Sequence, residues 1–184
     1  LWTTFTVVPY SGILDWFTVL MSVVAVATLM VHGANFISMK TTGELQMSAR
    51  IISKRFNPLV ILLSLVMFAA TTYIRPELWN NYFNHVWGFI FPLTGMAGLA
   101  GMFYFRSKDS DGKAFLSSAV FILGMMSGTA FGLYPTLLHS SINPAYSLTI
   151  TNSSAGSYGL QVGLIWWVIG MILALGYFSY LFYT

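Results

Sequence analysis

Cysteine is absent from the 184 residues of this sequence. The chain therefore forms no disulfide, thiolate zinc site or iron–sulfur cluster of its own, and it has no cysteine nucleophile. Charge is also scarce, because Asp, Glu, Lys and Arg make up 7% of the residues against roughly 25% in an average soluble domain. So few charges cannot cover the surface of a water-soluble fold. The net charge of +3 gives no indication of a nucleic-acid partner.

Long apolar runs take the place of charge, and 57% of the residues are hydrophobic. A helix needs about 20 mostly apolar residues to cross roughly 30 Å of hydrocarbon. Because backbone amides in lipid must be bonded within their own segment, these runs predict helices rather than open strands. We predict an all-α, polytopic membrane bundle, a single transmembrane domain over residues 1–184, with five helices at about 13–39, 57–74, 86–105, 114–138 and 158–183.

The basic residues predict the orientation in the membrane. Only Arg75 lies in the second predicted connection, and the fourth contains no Lys or Arg. By the positive-inside rule the first and third connections face the cytoplasm, so the N-terminal end lies outside and the C-terminal end inside. The chain begins at Leu1 without a signal-peptide pattern, and we interpret it as a piece of a longer protein. The first and third connections hold 7 of the 8 basic residues, namely Lys40, Arg50, Lys54, Arg55, Arg106, Lys108 and Lys113.

Glycines recur at helical spacing in two of the predicted helices. Small residues four apart lie on one helix face and allow a neighbouring backbone to approach closely. We interpret these faces as packing surfaces, with room for a flat cofactor as the alternative. Trp166 and Trp167 lie deep in the fifth helix, where they face either another subunit or lipid. The glycines that define the packing faces are Gly124, Gly128, Gly132, Gly95 and Gly98.

The titratable side chains do not predict a catalytic or metal site. Two haem-binding histidines must lie at similar depth, but His32 lies toward the cytoplasmic end of its helix and His85 and His139 lie near external ends. An ionisable group inside a span is costly and is a functional candidate. For His32 we weigh a hydrogen bond to a neighbouring helix, or contact with the headgroup region, against a proton-relay or cofactor-edge role and against direct metal ligation. Asp15 is expected to cap helix one, with proton uptake as the alternative, and Glu44 is a further candidate for a polar or proton path.

Several sequence motifs resemble subunit II of the cytochrome bd quinol oxidases. GILDW at 12–16, HGA at 32–34 and KTTGE at 40–44, followed by Arg50, resemble the fifth helix of that subunit and its cytoplasmic loop. The stretch from YPTLLHSS at 134–141 to residue 167 resembles its external connection and last helix. The stretch WGFIFPLTGMAGLAGM at 87–102, which lies between these two segments, resembles the same subunit as well. The resemblance covers nearly the whole chain.

The resemblance implies a fold, partners and a function. Subunit II of that family has nine helices, so this chain would be its C-terminal five-helix part, and the N-terminal half would be a further segment or a separate chain. The complex oxidises quinol, reduces dioxygen to water and generates a proton-motive force. Haem b and haem d are ligated by subunit I, so no haem ligand is expected here. A bound quinone or lipid and a small single-helix subunit are further expectations, as is a bacterial or archaeal plasma membrane.

Two other classes of protein compete with this interpretation. Half of a secondary transporter would show a broken helix and a buried charge near the bilayer midplane. Pro92 lies near a predicted helix end, and no span has a carboxylate at its centre. A free-standing b-haem electron carrier would need two level histidines within the spans. Only His85 and His139 could share a level, and both lie in or beside polar loops.

Overall fold

The computed structural model describes residues 15–140 and 143–183. This part of the chain is mainly helical, and five of its helical segments are long and apolar enough to cross a membrane. The all-α membrane fold is therefore confirmed. Two short strands, β1 (Thr136–Leu138) and β2 (Leu148–Thr149), were not predicted. The helices are α1 (Trp16–Lys40), α2 (Gly43–Ile74), α3 (Trp79–Asn84), α4 (Ile90–Ser107), α5 (Asp111–Leu133) and α6 (Ser157–Tyr183).

The connection between α1 and α2 is much shorter than predicted. The predicted second helix began at residue 57, whereas α2 begins at Gly43 and only Thr41 and Thr42 separate it from α1. Gly43 has φ +72°, a left-handed conformation that favours glycine. The residues that follow it are good helix formers, such as Glu, Leu, Gln, Met and Ala. A search for apolar runs overlooks them because polar residues interrupt the apolar ones, so the expected basic loop is in fact helical.

The other helix ends differ from the prediction by smaller amounts. The predicted start of helix one at residue 13 lies outside the described residues, which begin with Asp15 as the N-cap of α1. The fourth predicted helix ran to residue 138, but α5 ends at Leu133. Pro135 pushes the residue before it out of the helical region, and Tyr134 has the extended ψ of 137°. Residues 136–138 then form β1, which pairs antiparallel with β2.

Residues 15–134 form one compact unit. Here α4 packs along α5, α1 along α2, and further contacts join α1 to α5 and α2 to α4. The apolar centre of the bundle is a cluster around Val31, Val60, Met102 and Phe121. Buried polar residues accompany it toward one end, where the α1–α2 and α4–α5 connections lie. We call this end, which carries Lys40, Arg50, Lys54, Arg55, Arg106, Lys108 and Lys113, the basic end.

The described residues from Pro135 onward, 135–140 and 143–183, form a second compact unit. The short ladder pairs Thr136 with Thr149, and the turn after it is fixed by Asn152, whose Oδ1 accepts a hydrogen bond from the Thr149 amide at 2.7 Å. The helix of this unit, α6, has 27 residues and carries no Asp, Glu, Lys or Arg. Trp166 and Trp167 on α6 are 68% and 62% exposed.

Candidate functional site

The carboxylate of Asp111 joins three helices at the basic end. Asp111 is the first residue of α5, where a negative charge interacts favourably with the helix dipole. The Arg106 Nη2 of α4 donates to its Oδ1 at 2.8 Å. Arg50 of α2 donates from Nε to the same oxygen at 3.0 Å and from Nη2 to Oδ2, and the Gln46 amide also donates to Oδ2 at 3.2 Å. One carboxylate thus fixes the ends of α2, α4 and α5 relative to one another.

Arg106 is the most deeply buried charged residue of this cluster. The residue is 1% exposed, whereas the side chain of Arg50 is 29% exposed. A buried charge is stable only when it is paired and hydrogen-bonded. Besides Asp111, Arg106 uses Nη2 to contact the Ser38 Oγ of α1 at 3.4 Å. Its Nε and Nη1 have no hydrogen-bond partner among the described residues.

Amides and hydroxyls extend the cluster into the bundle. Ser53 donates to the Asn35 Oδ1 at 2.7 Å, and the Asn35 amide donates to the Ala114 carbonyl at 3.5 Å. The Asn57 Nδ2 donates to the Met102 carbonyl at 3.4 Å. Such hydrogen bonds hold membrane helices together because lipid offers the polar groups no partner. We call the whole set the polar network; it comprises Gln46, Arg50, Arg106, Asp111, Ser38, Asn35, Ser53 and Asn57.

His32 joins α1 to α5 one turn from Asn35. Its Nδ1 lies 2.8 Å from the Ser118 Oγ, and its ring stacks on Phe115 with the centroids 4.9 Å apart. The Ser118 hydroxyl donates to the Phe115 carbonyl at 2.7 Å, so its oxygen is free to accept a hydrogen from the His32 Nδ1. This assignment leaves the unprotonated nitrogen of a neutral imidazole at Nε2. The arrangement is that of an interhelical hydrogen bond.

The other two candidates for a polar path lie apart from His32. Asp15 caps α1, because its Oδ1 accepts a hydrogen bond from the Thr18 amide at 2.8 Å. This hydrogen bond is the largest of the effects that lower the pKa of Asp15. Asp15 is about 25 Å from His32 along the helix at 1.5 Å per residue. Glu44 is exposed in the first turn of α2, beside an open depression of about 630 Å³ that Gln46 and Arg50 also line. The structure does not bring the three candidates together.

The glycines lie at two kinds of contact. A Cβ on Gly98 would lie 2.4 Å from the Phe121 amide nitrogen, and one on Gly124 would lie 2.4 Å from the Gly95 nitrogen. Backbones of α4 and α5 therefore touch at these positions. Gly128 and Gly132 instead face α3: the Tyr82 hydroxyl donates to the Gly128 carbonyl at 2.5 Å, and Gly132 lies beside the Tyr82 ring. Burial raises the pKa of Tyr82.

Sequence reasoning did not identify the centre of the polar network. Arg106 was counted among the loop charges, and Asp111 was not among the candidate residues. A usable signal was present in the apolar spans, where Asn and Ser recur at helical spacing in Asn35 and Ser38, and again in Ser53 and Asn57. In lipid such residues need partners on a neighbouring helix. Their pattern points to a polar interior at one end of the bundle.

The membrane spans, the polar network and the titratable residues together define the class of protein. The chain is a multi-pass helical membrane protein whose helices are joined by buried polar groups. Within residues 15–140 and 143–183 no group of three His, Cys, Asp or Glu side chains could hold a metal ion. Residues 3–184 match the family described as cytochrome bd terminal oxidase subunit II, and the chain belongs to that family. The resemblance seen in the sequence motifs is thereby confirmed.

Two curated proteins show the same relationship. The chain is 28% identical over 204 aligned positions to a probable cytochrome oxidase subunit 2 of Haemophilus influenzae, covering 94% of this chain and 53% of that protein. It is also 28% identical over 133 positions to the cytochrome bd ubiquinol oxidase subunit 2 of Bacillus subtilis, covering 71% of this chain and 38% of that protein. The chain thus spans about half the length, or less, of these relatives.

Proposed function

We propose that this chain is the C-terminal five-helix part, one transmembrane domain, of a nine-helix non-haem subunit II in a cytochrome bd quinol:dioxygen oxidoreductase. The family match over residues 3–184 carries the proposal, and the coverage of 53% of the Haemophilus influenzae relative supports the view that the chain is part of a longer subunit. In the complex, quinol is oxidised, dioxygen is reduced to water and a proton-motive force is generated. This chain contributes as a subunit, pairing with and stabilising subunit I, which holds haem b and haem d.

The histidines of this chain do not fit a haem. His85 and His139 are exposed, whereas a haem ligand lies in a protected pocket. His32 faces Ser118 through Nδ1 and stacks on Phe115, which supports a role in helix packing. We therefore place haem chemistry in the partner subunit.

The polar network stabilises the arrangement of α1, α2, α4 and α5. Asp111 of α5 accepts hydrogen bonds from α2 and from α4. The ends of these three helices at the basic end therefore keep a fixed spacing. A bundle held in this way presents a constant outer surface to its neighbours. Its charged groups lie at the basic end rather than at the centre of the spans, which does not support the midplane site of a secondary transporter.

Further partners follow from the same proposal. They are the N-terminal half of subunit II, a quinone or lipid in a groove, and a small single-helix subunit. Trp166 and Trp167 are exposed on α6 and are proposed for the interface with another subunit. Asp15 acts as a helix cap, and Glu44 is exposed to the surroundings at the basic end. The complex lies in the plasma membrane of a bacterium or archaeon, without a nucleic-acid partner.

Affinity capture through a C-terminal tag tests the partner. From gently solubilised membranes we expect b-type and d-type haem bands to co-purify in a reduced-minus-oxidised visible spectrum. His32→Ala should leave every band in place, because His32 bonds Ser118. His85→Ala is the matched control at an exposed position. A capture free of haem would refute the proposed partner, and loss of one band in His32→Ala alone would make His32 a ligand.

Single cysteines test the orientation, since the chain has no background thiol. Ser107 lies at the basic end and Ser154 in the connection before α6, and both are exposed. The positive-inside rule places Ser107 in the cytoplasm and Ser154 outside. A membrane-impermeant maleimide on intact cells is expected to label Ser154→Cys strongly and Ser107→Cys only after the membrane is opened. The reverse pattern would invert the topology.

A further inference from the structure

Two charged residues of α2, Glu44 and Arg55, are exposed and have no partner in the part of the chain that the structure describes. Every other charged side chain within residues 15–140 and 143–183 makes an ion pair, a hydrogen bond or another electrostatic or aromatic contact. Eleven residues make three turns of a helix, so Glu44 and Arg55 lie on the same side of α2, about 16 Å apart along its axis. This distance is too long for the two side chains to form an ion pair with each other. The outer side of α2 therefore presents two opposite charges to its surroundings.

Apolar residues and a groove lie between these two charges. Ile51 and Ile52 are 61% and 42% exposed. Ile52 and Ser48 also line an apolar groove of about 310 Å³ between α1 and α2, which we call the α1–α2 groove. On the α1 side Gly33 lines the same groove, and a Cβ at this position would contact no atom of another segment within 4 Å. The groove is therefore open at Gly33 and has room for side chains from another molecule.

The position of Arg55 decides between lipid and protein as the occupant of the α1–α2 groove. Residues 56–74 carry no charge and extend about 28 Å at 1.5 Å per residue, close to the roughly 30 Å of hydrocarbon. The α2 side of the groove, whose last residue is Ile52, precedes this span and lies at the level of the lipid headgroups or beyond it. Acyl chains do not cover apolar side chains there, and exposed apolar patches outside lipid mark protein interaction sites. An anionic lipid would also be repelled by Glu44, whereas a protein segment can supply an opposite charge to both residues.

We propose that the α1–α2 groove is the docking site for a helix of another protein segment. This helix inserts apolar side chains into the groove and places a basic residue opposite Glu44 and an acidic residue opposite Arg55, three turns apart. A helix suits the site because it can lay one apolar face into a groove and because its side chains recur at the same three-turn interval as the two charges of α2. The proposal requires only that another protein segment adjoins this chain, and it does not depend on the oxidase function.

Photo-crosslinking in intact cells identifies the occupant. The photoreactive residue p-benzoylphenylalanine replaces Ser48, which is exposed and lines the groove. After illumination the protein is purified with the chains that accompany it, and the cross-linked peptide is sequenced by mass spectrometry. We expect a peptide that carries an acidic and a basic residue eleven positions apart with apolar residues between them, and its sequence shows whether the helix belongs to a longer subunit or to a separate chain. The same probe in place of Ser107, which is exposed but does not line the groove, is expected to give no cross-link to this peptide.

Variants test the groove and the charge separately. Gly33→Leu fills the groove and is expected to abolish the cross-link at an unchanged unfolding temperature, because its Cβ meets no other segment. Arg55→Gln is expected to lower the cross-linking yield about fivefold, the size expected for the loss of one exposed ion pair. Lys54→Gln is the matched control, since it removes the neighbouring charge, which already pairs with Asp109 at 2.9 Å, and should leave the yield unchanged.

Three results would overturn the docking site. They are cross-links to lipid alone, a cross-linked peptide without the two charges, and equal yields in Arg55→Gln and Lys54→Gln. An undiminished cross-link in folded Gly33→Leu would do the same, and if that variant does not fold, the comparison of Arg55→Gln with Lys54→Gln decides. A capture without haem that retains the expected cross-link would refute the proposed oxidase partner and support the docking site.

Discussion

Asp111→Asn is expected to lower the free energy of unfolding by about 3 kcal/mol or more, since removing one partner of a buried ion pair typically costs about 3–5 kcal/mol. Arg106, whose side chain is 2% exposed, would keep its charge and lose its counter-ion. Arg50 would lose its charged partner on α5 at the same time. Thermal unfolding of the purified protein in detergent, together with its yield in membranes, measures the effect.

Asp109→Asn is the matched control two residues away. Asp109 pairs with Lys54 at 2.9 Å, but both side chains are about half exposed, at 48% and 49%. The hydrogen bond from Lys54 lowers the pKa of Asp109, so any stabilisation it gives is present at neutral pH and is lost as the pH falls. Asparagine also tolerates the φ of +52° at this position. We expect no measurable change, and equal losses in both variants would contradict the importance of burial.

Gly98→Ala is expected to separate α4 from α5 and to prevent normal accumulation of the protein. The added Cβ would lie 2.4 Å from the Phe121 nitrogen and 2.9 Å from the Ser117 carbonyl oxygen. Both contacts are with backbone atoms, which cannot move aside as a flexible side chain can. Overpacking usually costs about 1–3 kcal/mol, and we expect a loss at the upper end of this range or beyond it. Thermal unfolding and membrane yield again provide the measurement.

Gly95→Ala provides the comparison one turn earlier on the same helix. Its Cβ would first meet the Met125 sulfur at 3.4 Å, which is an ordinary contact with a flexible side chain. The unfolding temperature of this variant is expected to stay close to that of the original protein. If Gly95→Ala and Gly98→Ala are equally harmful, loss of glycine itself, rather than the backbone contact, is responsible.

The spans were predictable from the sequence because their signal is local. A run of apolar residues long enough to cross lipid identifies α1, α4, α5 and α6 within a few residues. The early start of α2 was missed because its first turns, from Gly43 to Arg50, alternate between polar and apolar residues and indicate a helix through propensity rather than hydropathy. The strands β1 and β2 were missed for a different reason. They are three and two residues long and depend on each other for their hydrogen bonds.

The candidate site was less predictable because it depends on contacts between distant residues. Arg50 and Asp111 are 61 residues apart, and Asn57 and Met102 are 45 apart. The sequence placed His32 in a span and gave interhelical bonding as one of its roles, but it could not identify Ser118 as the partner. Arg106 was treated as a surface charge because rules of membrane topology count basic residues without regard to burial. Only the contacts of Arg106 with Ser38 of α1 and Asp111 of α5, together with its 1% exposure, show that it is interior.

The length of α2 has a mechanical consequence. Its 32 residues extend about 48 Å at 1.5 Å each, which exceeds the roughly 30 Å of hydrocarbon, so its polar first turns project beyond the lipid. Pro58 lies between these turns and the apolar span, and it removes the hydrogen bond to the Lys54 carbonyl. Pro58 is therefore a point of reduced bending stiffness beside Asn57. The hydrogen bonds that Asp111 accepts from Gln46 and Arg50 hold the segment before Pro58 against α5, and we expect α2 to bend more readily at Pro58 than elsewhere along its length.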